Sequence, residues 1–199
     1  MAYRETITAA VRGHAFKLVK QTGGPGQFAH VVLDVEPDDE DFVFVDATTG
    51  GRVPKELAQA TMVGAREALA SGPVDGFPVV GVRVTLTDGS THPKDSTEVA
   101  FRSAGNQAVR EALALAAPVL LEPVMAVEVV VPEEYLGNVI GDVSARRGVV
   151  RALGSRSGAR TVEAAVPLAE MVGYATHLRS RTQGRGDFTM ELSSYAKVT

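Results

Sequence analysis

The stretch Lys20-Gln21-Thr22-Gly23-Gly24-Pro25-Gly26-Gln27 separates two runs of alternating residues. Before it, Phe16, Leu18 and Lys20 alternate with Lys17 and Val19. After it, Val31, Leu33 and Val35 share one side of an extended run from Phe28 to Glu36. Two such runs around a Gly/Pro-rich turn predict a β-hairpin whose tip is residues 20–27. A phosphate loop needs a Lys-Ser/Thr pair after its last glycine, and a dinucleotide loop needs a following helix. Gln27 instead leads into a strand, so the tip is no nucleotide cradle.

Working outward, residues 3–11 read as one extended run with Ile7, Ala9 and Val11 on one face. Phe42 to Asp46 is a further short strand. Thr48-Thr49-Gly50-Gly51 is a turn, Pro54 suits the first position of a helix, and Gly72-Pro73 stops that helix. Val79 to Thr87 is a strand, and Asp88-Gly89 begins a second polar loop, residues 88–97. Asp95 with Glu98 has capping-box spacing for the next helix. That helix carries Phe101, Gly105, Ala108, Ala112 and Leu115 on one side and ends before Pro118. The expectation for 1–118 is an α+β layer with helices against one sheet face.

Residues 119–199 follow a second plan. Val124 to Val131 is nearly continuous in apolar residues, as in a strand buried in mid-sheet. Pro132-Glu133-Glu134 opens a helix with Leu136, Val139, Ile140 and Val143 at i, i+3, i+4 and i+7. Its first turn is acidic, and Arg146 and Arg147 fall in its last turn before Gly148, matching the helix dipole. Val149 to Leu153 and Thr161 to Val166 form a hairpin. A helix from Pro167 to Gln183-Gly184 turns Leu168, Met171, Val172, Ala175 and Leu178 inward, and Phe188, Met190 and Leu192 alternate in a last strand. The order βαββαβ is the ferredoxin-like plan.

The bulk numbers narrow the function. The 199 residues are 45% hydrophobic and 22% charged, an ordinary globular balance. Cysteine is absent, which removes disulfides and thiolate chemistry and fits a cytoplasmic protein. There is no apolar run of membrane-spanning length, and the expectation is no membrane partner. The net charge is −4, with 11 Lys/Arg and 15 Asp/Glu in 1–118 and 9 of each in 119–199, so any nucleic-acid contact must use local patches. The acidic run Asp38-Asp39-Glu40-Asp41 reads as a solvated loop.

Candidate chemistry is sparse. His14, His30 and His177 have no metal-ligand spacing and read as structural, whereas His92 lies in a loop between a strand and a capped helix. Ser90, His92 and Asp95 assemble a triad on paper only, because all three share one short loop with no oxyanion hole. Every cation of the second half before Lys197 is an arginine. Arginine suits bidentate phosphate contact, with helix-end and ion-pair roles as the rival reading.

Several motifs carry a resemblance. Tyr3-Arg4-Glu5-Thr6-Ile7, the stretch from Lys20 to Val31, and Gly89-Ser90-Thr91-His92 through Glu98 resemble the start and the two tip loops of domain IV of elongation factor G. Pro118-Val119-Leu120-Leu121-Glu122-Pro123 resembles the junction to domain V. Ile140-Gly141-Asp142-Val143-Ser144 with Arg146-Arg147-Gly148, and Pro167-Leu168-Ala169-Glu170-Met171 with Gly173-Tyr174-Ala175-Thr176, resemble the two helices of domain V. The match runs in order over the whole chain.

The resemblance implies domain IV in 1–118, with a left-handed βαβ crossover, and a ferredoxin-like domain V in 119–199. It implies a non-catalytic part of a GTPase, with GTP and magnesium held in domains that precede this segment and no cofactor here. The implied partners are the ribosome's rRNA, the tRNA–mRNA duplex and large-subunit proteins, with no small-molecule substrate and a monomeric state. Tip contacts would come from Lys20, Thr22, Gly23, Gly24, Gly26, Gln27, Ser90, His92 and Lys94, the glycines letting amides approach phosphates. Arg146, Arg147 and Arg179 would contact the ribosome from the second domain. Pro25 stands where the family has a basic residue, and Pro93 where it has an acid. These departures suggest a paralogue, with ribosome protection or recycling as alternatives to translocation. A stand-alone regulatory module that binds proteins is the alternative from another class.

Overall fold

Alternation along β3 (Gln27–Pro37) puts Ala29, Val31, Leu33 and Val35 on one face, and all four are buried. In the computed structural model, which describes residues 2–199, β3 is an inner strand of a four-stranded sheet. It pairs antiparallel with β2 (Val11–Lys20) and with β5 (Val82–Ser90), and β4 (Phe42–Asp46) lies parallel to β5 at the edge. A parallel pair needs a crossover, and α1 (Lys55–Ala68) supplies it. Ala58 and Ala65 of α1 and Phe101, Ala104 and Ala108 of α2 (Glu98–Leu115) join Val31, Leu33, Val84 and Leu86 in one core. Each fully buried large apolar side chain contributes about 1.5–3 kcal/mol.

Two glycines set the spacing of these helices. A Cβ on Gly64 would overlap the carbonyl oxygen of Arg102, and one on Gly105 would sit 2.5 Å from the carbonyl oxygen of Thr61. The backbones of α1 and α2 are therefore in direct contact. Leu115, expected inward, is 66% exposed, while Leu113 takes its place in the core. The position after next on a helix is turned by about 200°, which carries Leu115 off the buried stripe.

The first extended run is broken. β1 (Arg4–Ile7) ends before Thr8, because the Thr8 and Ala9 amides donate to the carbonyl oxygen of Ala116 at 3.1 and 3.0 Å. Within β1, Glu5 is fully buried, and its carboxylate accepts from the amides of Val74, Asp75 and Phe77 at 2.9, 2.8 and 3.1 Å. A buried carboxylate is tolerable only when so satisfied, and this one pins the turn after α1. Pro54 caps α1 from outside rather than opening it.

The chain divides into Tyr3–Leu120 and a second unit of Ala2 with Leu121–Thr199, and β6 (Pro118–Val131) runs across the division. In the second unit β6 lies between β9 (Asp187–Lys197) and β8 (Ala159–Pro167), and β8 pairs with β7 (Val149–Arg156), all antiparallel. This is the ferredoxin-like order. The strand is not buried on both faces as expected: Met125, Val127, Val129 and Val131 are buried, while the alternate residues are half-exposed. Only one sheet face carries α3 (Leu136–Ala145) and α4 (Tyr174–Arg181).

Both helices of this unit depart from the sequence expectation. The first begins as a 3-10 turn at Glu133–Tyr135, and Arg146 caps α3 while Arg147 lies beyond it at φ +57°, so neither is in its last turn. The second is interrupted. After a 3-10 turn at Leu168–Met171, Val172 is extended and 82% exposed, and Gly173 takes φ +74° before α4 starts. The break shifts the helical phase, so Tyr174 enters the core in place of Val172 and Ala175. Its ring meets Phe188 edge-on at 4.9 Å and carries the Arg146 guanidinium over its face at 4.9 Å.

Two outcomes follow. Gly64→Ala forces α1 and α2 apart and is expected to lower stability by about 1–3 kcal/mol in urea unfolding, despite alanine's better helix propensity. The Tyr174 hydroxyl is buried without a hydrogen-bond partner, and burial, with Asp142 nearby, pushes the phenol up to about 12. The unfolded chain releases this proton from about pH 10, so folding stability falls between about pH 10 and 12. Tyr174→Phe is expected to keep or raise Tm at neutral pH and to flatten that alkaline fall, as read by thermal melts across pH.

Candidate nucleic-acid interface

The hairpin closes with Lys20 opposite Gln27, leaving residues 21–26 as its loop. Gly23 sits at φ +82°, a left-handed conformation that the turn requires and that side chains resist. The second loop is shorter than residues 88–97, because β5 continues through Asp88, Gly89 and Ser90, which pair with Val32, Val31 and His30. The cap of α2 is Thr97, whose side chain accepts from the Ala100 amide at 3.2 Å, not Asp95.

Asp95 is used elsewhere. Its carbonyl oxygen accepts from the Phe28 amide at 2.9 Å, and its carboxylate lies where a Cβ on Gly26 would be, 2.6 to 2.7 Å away. Gly26 is thus small because the second loop packs on it, while Gly23 and Gly24 face open space. Ser96 ties the loops together. Its hydroxyl donates to the Phe28 carbonyl at 2.8 Å and accepts from the His92 amide at 2.8 Å. The two loops form one tip, joined through the backbone of Phe28.

His92 is half-exposed within this latch. Its Nδ1 accepts from the amides of Lys94 and Asp95 at 3.3 and 3.2 Å, which leaves the ring proton on Nε2. Asp95 Oδ2 lies 3.3 Å from the same Nδ1. Ser90 does not join them, since its hydroxyl meets His30 Nδ1 at 3.0 Å, and no nucleophile triad forms. His14 contacts Glu111 at 2.8 Å and His177 contacts Asp142 at 3.1 Å, in structural roles. Lys20, Thr22, Gly23, Gly24, Gln27, His92 and Lys94 come together at this end, with Ser90 and Gly26 packed behind.

The arginines of the second unit are mostly engaged inside it. Arg147 grips the nearly buried Glu122 with two bonds of 2.8 and 2.9 Å and reaches Glu170 at 3.1 Å. These bonds, Glu122 first, raise its pKa above the ordinary guanidinium value. Arg146 bonds Asp142 at 3.2 Å and the carbonyl of Glu170. Arg156, Arg160 and Arg185 pair with Glu128, Glu133 and Glu134. Arg179 is exposed on α4 and has no carboxylate partner among the described residues. The sequence gives no signal for the Arg147–Glu122 pair, whose members are 25 positions apart.

Among the described residues no cluster of His, Asp or Glu could hold a metal ion, and no helix is long and apolar enough to cross a membrane. An α+β unit bearing a latched two-loop tip, followed by a ferredoxin-like unit, defines the paired C-terminal domains of a translation-factor class. Residues 1–117 match the family model for elongation factor G, domain IV, and residues 119–199 match that for the elongation factor G C-terminus. The chain belongs to the elongation factor G family. It is 54% identical to elongation factor G 2 of Streptomyces coelicolor, covering 100% of this chain and 30% of that protein. A crystal structure from Thermus thermophilus superposes with a TM-score of 0.90 at 40% identity, covering 98% of this chain and 29% of that one. The chain thus spans under a third of the length of these relatives.

Gly26→Ala is expected to displace Asp95 and shift the amide resonances of residues 92–97 in NMR spectra. Stability should change by less than about 1 kcal/mol, because the group displaced is the end of the Asp95 side chain and not backbone.

Proposed function

We propose that this segment acts on the ribosome as the C-terminal part of an elongation factor G-type GTPase. The tip enters the decoding region and braces the tRNA–mRNA duplex during translocation. The observation that carries this reading is the latch of Ser96 and Asp95 onto Phe28 and Gly26, which makes two polar loops a single stiff probe. Preorganised donors lose little freedom on contact. His92 Nε2–H, Lys20, Lys94 and the amides around Gly23 and Gly24 offer donors to phosphate and base acceptors, and Thr22 and Gln27 add neutral groups. GTP and magnesium would be held by domains that precede this segment, and hydrolysis occurs there.

The second unit docks near the large-subunit GTPase centre, and Arg179 is its best-placed contact. Arg146 and Arg147 serve that surface indirectly, by holding the loop before β7 in place. Pro25, in place of a basic residue, favours one further reading: a paralogue working in ribosome recycling or protection. His92→Ala in the full-length factor is expected to slow single-round translocation by about tenfold, about 1.4 kcal/mol on the barrier, with GTP hydrolysis nearly unchanged. Unaltered translocation alongside impaired subunit splitting would favour the recycling reading.

A further inference from the structure

We infer that the RNA-binding surface of the first unit continues beyond the loop tip onto the helix-free face of its sheet, where Lys17 takes a backbone phosphate of a structured RNA and Phe28 positions it. The inference rests on the reading of the tip as an RNA probe.

Strand register assembles the patch. Lys17 stands opposite His30, and His30 opposite Ser90, so all three side chains share one face. It is the face opposite Ala29 and Val31, which point into the helix-covered core. The Lys17 ammonium lies over the Phe28 ring at 5.4 Å from its centre, and the His92 ring lies 6.2 Å away on the same phenyl group. Phe28 is also the residue whose backbone makes both latch bonds with the second loop, its amide donating to Asp95 and its carbonyl accepting from Ser96. A single aromatic ring thus couples a cation on the sheet to the histidine of the tip. The patch lies about 10 Å from the hairpin loop, at about 3.3 Å per strand residue.

Charge pairing points the same way. Further along this unit, Arg12 is spent on Asp34 and Glu36, Arg52 on Asp88, Arg83 on Asp38 and Arg102 on Glu67. Lys17, Lys20 and Lys94 have no carboxylate partner among the described residues, and they are three of the four lysines in Tyr3–Leu120. In a chain of net charge −4, uncompensated cations gathered at one end form a local anion site. The pairs at Asp34, Glu36 and Asp88 mark where the site stops, since carboxylates there repel a phosphate backbone.

The test uses the isotope-labelled 199-residue chain and a short hairpin RNA with an anticodon-type stem and loop. Binding is expected to shift resonances of the two tip loops together with those of Lys17, Phe28 and His30. Lys17→Gln is expected to keep Tm unchanged and to lower the slope of log affinity against log salt by about 0.7–0.9, the value for one lost phosphate contact. Phe28→Leu should lower the slope in the same way, and Phe28→Tyr should restore it, a rescue that a loss of folding would not show. Shifts confined to the loops, with the Lys17→Gln slope unchanged, would overturn the inference and leave the tip reading intact. No shifts at either place would overturn both. Equal shifts with a polyglutamate peptide would make the patch a general anion site and overturn its assignment to RNA.

Discussion

At the crossing of α1 and α2, a side chain on Gly64 or Gly105 would strike a carbonyl oxygen of the facing helix. The rest of that unit depends on this spacing. It lets two helices cover one sheet face as a single layer, with Phe101 and the alanines of α2 filling the space above Val31 and Leu86. It also sets where α2 begins. Thr97 starts that helix beside the base of the hairpin, which brings Asp95 and Ser96 within bonding distance of Phe28.

Electrostatics divides the molecule into supports and contacts. Long cationic side chains are usually worth little in exposed ion pairs, yet here Arg146 and Arg147 hold the loop before β7. Arg147 leaves the helix path to reach Glu122, and Arg146 covers Tyr174 while bonding Asp142. Glu5 does the same with opposite sign, gathering three amides of the turn after α1. The lysines near the tip have no such employment. Arginine's planar fork suits fixed internal geometry, whereas lysine is a mobile point charge, and the chain uses each accordingly.

Much of this was legible from residue order. The hairpin around residues 20–27 follows from alternation and a turn rich in glycine and proline, and the βαββαβ unit follows from period changes along 119–199. The misses have a common cause. Asp95 has capping-box spacing, but a carboxylate already packed against Gly26 cannot also cap a helix, so Thr97 does. Val172 fits a continuous apolar stripe, but Gly173 in a left-handed conformation resets the phase and turns Tyr174 inward. Leu115 and the half-exposed residues of β6 show that apolar character does not specify burial, because burial depends on which face receives the helices.

The sequence alone determined the local elements, the two-unit order, the glycine-rich tip and the family motifs, since these depend on neighbours a few positions apart. Tertiary structure alone decided which polar groups meet. The Ser96–Phe28 latch spans 68 positions, Arg147 and Glu122 are 25 apart, and Lys17 joins His92 only through the register of β2 on β3. Contacts at such separations are fixed by strand pairing and helix crossing. No local propensity encodes them, because the partners become neighbours only once the core has formed.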